Sequence, residues 1–177
     1  FIPIVSANGP ASGTATSNGN RLLAYALSGG GGGHGAPEGG NPGAIGGAGL
    51  MAVFSGPISA PFSQPYSIGA GGTGGAGQFM SVAGNGNPGG ATNVANFLAI
   101  NGGTGANTFT PMNTEAAGTI STGAPISPYS SANIKHFLDP SLGNGGLGGN
   151  KGISGGRGNN GQEGQPGALF LFDNTGS

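Results

Sequence analysis

Short apolar runs alternate along this chain with long stretches that carry almost no side chain. FIPIVSA at 1–7 is β-prone, but Pro3 limits it to a sheet edge or an extended arm. ASGTATSNGN at 11–20 reads as turn-rich, and RLLAYAL at Arg21–Leu27 reads as a buried strand. LMAVF at 50–54, ISAPF at 58–62, QPYSI at 64–68, QFMSV at 78–82 and ATNVANFLAI at 91–100 follow as short strands punctuated by Pro and Gly. ALFLF at 168–172 is a fully apolar strand. ANIKHFL at 132–138 is the one helical pattern, of one or two turns, and Pro140 stops it.

Three glycine tracts separate these runs. The first, 29–49, ends on a period of three at Gly40, Gly43, Gly46 and Gly49. The second, 69–77, interleaves two such rows: Gly69, Gly72, Gly75 and Gly71, Gly74, Gly77. In the third, Gly143, Gly146, Gly149, Gly152, Gly155, Gly158, Gly161, Gly164 and Gly167 keep the spacing without a break. A polyproline-II helix has three residues per turn, so glycine at every third place leaves one edge bare for another backbone to approach. Such a helix has no internal hydrogen bonds, and its N–H and C=O groups must find partners sideways. A collagen triple helix and a side-by-side bundle both supply them. Collagen fits less well, since Pro166 is the one proline of the third tract and Asn and Gln fill many other places. The expected fold class is all-β with polyproline-II: short antiparallel strands, packed glycine-rich helices of that type, and almost no α-helix. Residues 1–20 are expected as an N-terminal arm or assembly segment and 21–177 as the glycine-rich domain.

Composition sharpens this picture. Of 177 residues, 44 are Gly and 13 are Pro, about a third of the chain against about 12% in globular proteins. Charged residues make up 5% and the net charge is −1, so little repulsion keeps copies apart. Hydrophobic residues at 34%, with nine Phe, give material for a core. Phe54, Phe62, Phe79, Phe97, Phe170 and Phe172 fall in strand-like stretches and read as core. Four Lys and Arg make no basic footprint for nucleic acid. No apolar run reaches the roughly 18 residues of a membrane span. The absence of Cys removes disulfides and thiolate metal sites. The chain opens on Phe1 rather than Met, which fits either a removed leader and export or a fragment.

The order of these phrases resembles the glycine-rich domain of tailed-phage tail-fibre and receptor-binding proteins. The resemblance covers 21–172 and rests on LLAYALSGGGGGHGAPEGG, YSIGAGGTGGAG, GGATNVANFLAINGGTGA and GGRGNNGQEGQPGALFLF. It implies a bundle of polyproline-II helices, and with it trimeric fibres or adhesion to a host-surface glycan or protein. The extension at 1–20 departs from that family. FIPIVSA is expected there to add a strand to a neighbouring copy, which makes Phe1, Ile2, Ile4 and Val5 candidate assembly residues.

Chemistry is sparse. Gly69, Gly71 and Gly74 satisfy G-x-G-x-x-G, a spacing that chance supplies in a chain one-quarter glycine, and no GK[ST] follows any tract. His34 and Glu38 lie close in sequence, but His136 is the only other histidine and a zinc site wants about four ligands. Glu38, Glu115, Asp139, Glu163 and Asp173 are scattered, and no nucleophile-elbow sequence accompanies His136 and Asp139. No catalytic residue, metal or cofactor is expected. Tyr66 and Tyr129, in Pro- and Ser-rich context, are candidate surface contacts. The expected function is a non-enzymatic subunit of an extracellular or virion fibre that associates with copies of itself. A phage-type adhesin and an ice-binding protein are the alternatives. The expected location is an extracellular filament or a virion surface.

Overall fold

The computed structural model describes residues 2–39, 41–79, 82–107, 116–124, 141–147, 149, 152 and 156–175. These residues form nine strands: β1 (Ile2–Asn8), β2 (Ala11–Ser17), β3 (Arg21–Leu27), β4 (Met51–Pro57), β5 (Phe62–Ile68), β6 (Thr92–Val94), β7 (Leu98–Ile100), β8 (Ile120–Thr122) and β9 (Ala168–Asp173). The first sheet has the order β1-β9-β3-β4 and the second β2-β5-β6-β7-β8. All pairings between these strands are antiparallel. The fold is all-β, and no helix occurs among the described residues.

Alternation decides which faces meet. On β3, Leu22, Ala24 and Ala26 are buried, and on β9 Leu169 and Leu171 stand opposite Ala26 and Ala24. Ala15, Ile68, Val94, Leu98 and Ile100 come to the same core from the second sheet. The two sheets therefore share one apolar interior, the arrangement expected when each has a single apolar face. The other parity of the first sheet builds a second cluster of Leu27, Met51, Val53, Leu142 and Ala168, flanked by half-buried Leu23, Tyr25 and Phe170. Tyr25 and Phe172 meet edge to face there, with centroids 6.0 Å apart, the geometry ring quadrupoles favour.

Several expectations give way to pairing. ASGTATS is a full strand, because its small residues line up without a shift against β5 from Ala11↔Ile68 to Ser17↔Phe62. Of ISAPF, residues 58–61 connect β4 to β5 and contain the cis Ala60–Pro61 bond, and Phe62 opens β5. ATNVANFLAI is a hairpin, reversing through Ala95, whose φ is 35°. β8 escaped the apolar pattern because Ile120, Ser121 and Thr122 are all exposed. QFMSV is no half-buried strand where it is described: Phe79 is 54% and Val82 77% exposed. Residues 132–138 lie outside the described residues.

Residues of the expected 1–20 segment join both sheets where they are described. β1 pairs with β9 in the first sheet, and β2 with β5 in the second. Residues 2–17 are thus edge strands of the chain's own sheets. Pro65, inside β5, is accommodated because pairing with β6 begins at Tyr66, and on that side Pro65 needs only its carbonyl, which accepts from Ala95 N–H just past β6 (3.0 Å).

Candidate functional site

The glycine tracts leave the sheets at one common end and hydrogen-bond to one another. Segment 28–36 is the hub. Gly29, Gly32 and Gly35 donate to Gly90, Asn87 and Gly84 (3.0, 2.8 and 3.0 Å). Gly30, Gly33 and Ala36 donate to Gln165, Gln162 and Asn159 (2.9, 2.9 and 3.0 Å). Gly31 and His34 donate to Gly47 and Ala44 (2.8 and 3.0 Å). Its carbonyls are used in the same rhythm: Gly30 and Gly33 accept from Gly72 and Gly75, Gly29 and Gly32 from Gly103 and Ala106, Gly31 and His34 from Gly146 and Gly149.

Six segments therefore surround 28–36. Those that accept from it (41–49, 84–90, 156–167) run antiparallel to it, and those that donate to it (69–77, 101–107, and the described residues 143–147 and 149) run parallel. Neighbours in this ring also bond each other, as in Asn87 to Thr73, Gly161 to Gly75, Gly46 to Gly146, Gly47 to Thr104 and Gly89 to Gly103. The ring closes, and its members alternate in direction.

Glycine is demanded wherever two backbones touch. A Cβ on Gly32 would stand 2.0 Å from the Thr73 carbonyl oxygen, and on Gly33 2.0 Å from that of Leu147. The row Gly69, Gly72, Gly75 faces the carbonyls of Gly90, Asn87 and Gly84, while Gly71, Gly74, Gly77 faces those of Gly164, Gly161 and Gly158. Ala70, Thr73 and Ala76, the third row, are exposed. In the last tract, Gly146, Gly149 and Gly152 lie on the carbonyls of Gln162, Asn159 and Gly156. Gly158, Gly161, Gly164 and Gly167 lie on those of Ala36, Gly33, Gly30 and Leu27. One row in sequence thus serves two antiparallel arms. Gly143 (φ 69°) packs on the Leu27 side chain, and Gly155 lies outside the described residues.

The hub itself was not singled out by spacing. Gly29–Gly33 has no period, because a segment with neighbours on every side has no outward row to fill. Within the hub, side chains occur only towards its ends, at Ser28, His34 and Ala36, all buried. The His34 Nδ1 lies against the Gly35 carbonyl.

Of the candidate assembly residues, Val5 is buried in the shared core, Ile4 packs against it, and Ile2 is 47% exposed; Phe1 lies outside the described residues. Tyr66 is half-buried on the inner face of the second sheet, over Gly13. Tyr129 lies outside the described residues.

At the opposite end from the bundle, Asp173 is buried and accepts from Ser17 Oγ (2.5 Å), Thr175 Oγ1 and Thr175 N–H (3.2 Å). Burial pushes its carboxyl up, but these hydrogen bonds outweigh it and hold the group below its ordinary value. Asn174 Oδ1 accepts from the N–H groups of Asn20 and Arg21, which ties the end of β9 to the β2–β3 turn. Thr16, Asn18, Phe62 and Ser63 complete a shallow polar cleft around Asp173. Every buried side-chain polar atom among the described residues has a partner, so the cleft presents no orphaned group to a ligand.

Among the described residues no group of three or more His, Asp or Glu is placed to hold a metal ion. Gly69, Gly71 and Gly74 spend their bare faces on the neighbouring segments 84–90 and 156–167. No helix among the described residues is long and apolar enough to cross a membrane. No protein-family model matches the chain, and no curated protein matches it significantly.

Proposed function

We propose that this chain is a non-enzymatic structural subunit of an extracellular or virion fibre, built on a bundle of polyproline-II helices clamped by a β-sandwich. The observation that carries the reading is the period of three in the hydrogen bonds of 28–36. A helix with three residues per turn sends successive N–H groups in three directions and successive carbonyls in three others, which supports hexagonal packing of such helices. At about 3.1 Å per residue, segment 28–36 is a rod of about 28 Å. Its backbone groups are spent internally, and its surface carries almost no charge. Such a body suits bearing load and packing beside copies of itself better than it suits catalysis. Negative-stain microscopy of the purified chain and of native material tests this. Filaments or ordered multimers are expected, and a chain that remains a dispersed monomer at all concentrations refutes the reading.

One observation favours a second reading, an adhesin module. Phe79 and Val82 are the most exposed large hydrophobic side chains among the described residues, and they flank the end of the bundle where Gly84 N–H bonds Ala76. Aromatic and apolar groups at a rod's tip suit contact with a host-surface glycan or protein. Binding to host envelope fractions, lost in a Phe79→Ala, Val82→Ser variant, is the expected result; no binding of the native chain removes this reading.

A further inference from the structure

Four strands end the two sheets, and they are not equally protected. β1 carries Pro3 and a register shift between Pro3 and Val5. β4 has Met51, Ala52, Val53 and Phe54 buried and finishes on Gly56 and Pro57. β8 is three residues long and has a register shift of its own. Proline, bulges and short length are the devices that keep sheet edges from pairing with other chains. β2 has none of them. It is seven residues long, ASGTATS, without charge, proline or shift, and Ser12, Gly13, Thr14 and Thr16 are exposed.

The direction of its backbone groups follows from β5. Pro65 turns its carbonyl away from β2, to Ala95 N–H just past β6, and Thr14 stands opposite Pro65. In an antiparallel pair, opposite residues either bond each other or both point away. Thr14 therefore points its N–H and C=O outward, and so do Ser12 and Thr16, two places to either side. Their side chains lie on the solvent face, because the other parity (Ala11, Ala15) packs in the core.

We propose that β2 is an interface between two copies of this chain, paired antiparallel with its own equivalent about a two-fold axis at Thr14. The axis sets Thr14 opposite Thr14 and Ser12 opposite Thr16, so every outward backbone group is used reciprocally. Cross-strand Thr–Thr and Thr–Ser pairs are favourable, and no charge in 1–20 opposes the contact. The two five-stranded sheets become one continuous sheet. The inference extends the self-association in the fibre reading. The contact closes on itself, so filament growth belongs to other surfaces.

Sedimentation of the native chain should show a dimer. Thr14→Pro removes the outward N–H, and Thr14→Lys sets like charges face to face; both should sediment as monomers and melt as the native chain does at dilutions where it too is monomeric. The chain has no cysteine, so Thr14→Cys alone should cross-link to a dimer under mild oxidation, while Thr122→Cys on the β8 edge should not. A native chain that is monomeric up to about 1 mM overturns the proposal. So do Pro and Lys variants that remain dimeric, and a Thr14→Cys that links no better than Thr122→Cys. Filaments that persist in Thr14→Pro with the same two-fold contact overturn it and leave the fibre reading standing. Dimers that never grow into filaments support it and count against the fibre reading.

Discussion

Replacing Gly32 by alanine adds one methyl group at the centre of the bundle. Its carbon would lie 2.0 Å from the Thr73 carbonyl oxygen and 2.5 Å from the carbon behind it. A tolerable contact is at least about 3 Å, so segment 28–36 must move about 1 Å or more. It has nowhere to go, since neighbours bond it on every side. The same shift stretches Gly32 N–H to Asn87 (2.8 Å) and Ala106 N–H to Gly32 (2.9 Å) beyond bonding range. Asn87 N–H to Thr73 (2.9 Å) is lost if 69–77 yields instead. A buried backbone group left without a partner costs about 1–3 kcal/mol. Two such losses give about 2–6 kcal/mol, less about 0.4–1 kcal/mol that alanine contributes by stiffening the unfolded chain. Total stability is on the order of 5–15 kcal/mol, so Gly32→Ala should remove a large share of it. Gly39→Ala is the control: Gly39 has φ 63°, and a methyl group there would meet no atom within 4 Å, so the change should cost only about 1–2 kcal/mol. Urea unfolding followed by tyrosine fluorescence reads both, since the chain has no Trp. A Gly32→Ala variant within about 1 kcal/mol of wild type, or no worse than Gly39→Ala, would refute steric exclusion as the reason for the glycines.

Leu171→Ala empties part of the core shared by both sheets and should cost about 2–5 kcal/mol in the same assay. Asp173→Asn weakens the acceptor for Ser17 and Thr175 and should cost about 1–3 kcal/mol at neutral pH. Because the folded carboxyl titrates below its unfolded value, its contribution is complete above the unfolded value of about 3.9 and is lost as pH falls through the folded one. Stability should thus decline from about pH 4 downward in wild type, and less steeply in Asp173→Asn.

RLLAYAL and ALFLF were legible as strands because their apolar residues dictate a buried pairing, and they sit side by side at the middle of the first sheet. ASGTATS was not, because its small polar residues owe their conformation to β5 rather than to any pattern of their own. The rows in 69–77 and 143–167 were legible as periods. That one of them faces two different neighbours along its length was not, since its spacing of three is the same in both arms. The role of 28–36 was hidden for the opposite reason: burial on all sides removes the very periodicity that betrays its neighbours. The β2 edge depends on Pro65, a residue of another strand, and no local reading of 11–17 reaches it.

The bonding of 28–36 separates two properties usually measured together. Its amides should exchange with solvent only when the whole domain opens, like those of a central strand. Yet the segment has neither helix nor strand, and circular dichroism would count it among unstructured chain. A spectroscopist would report a largely disordered protein whose most protected hydrogens lie in a run of glycines.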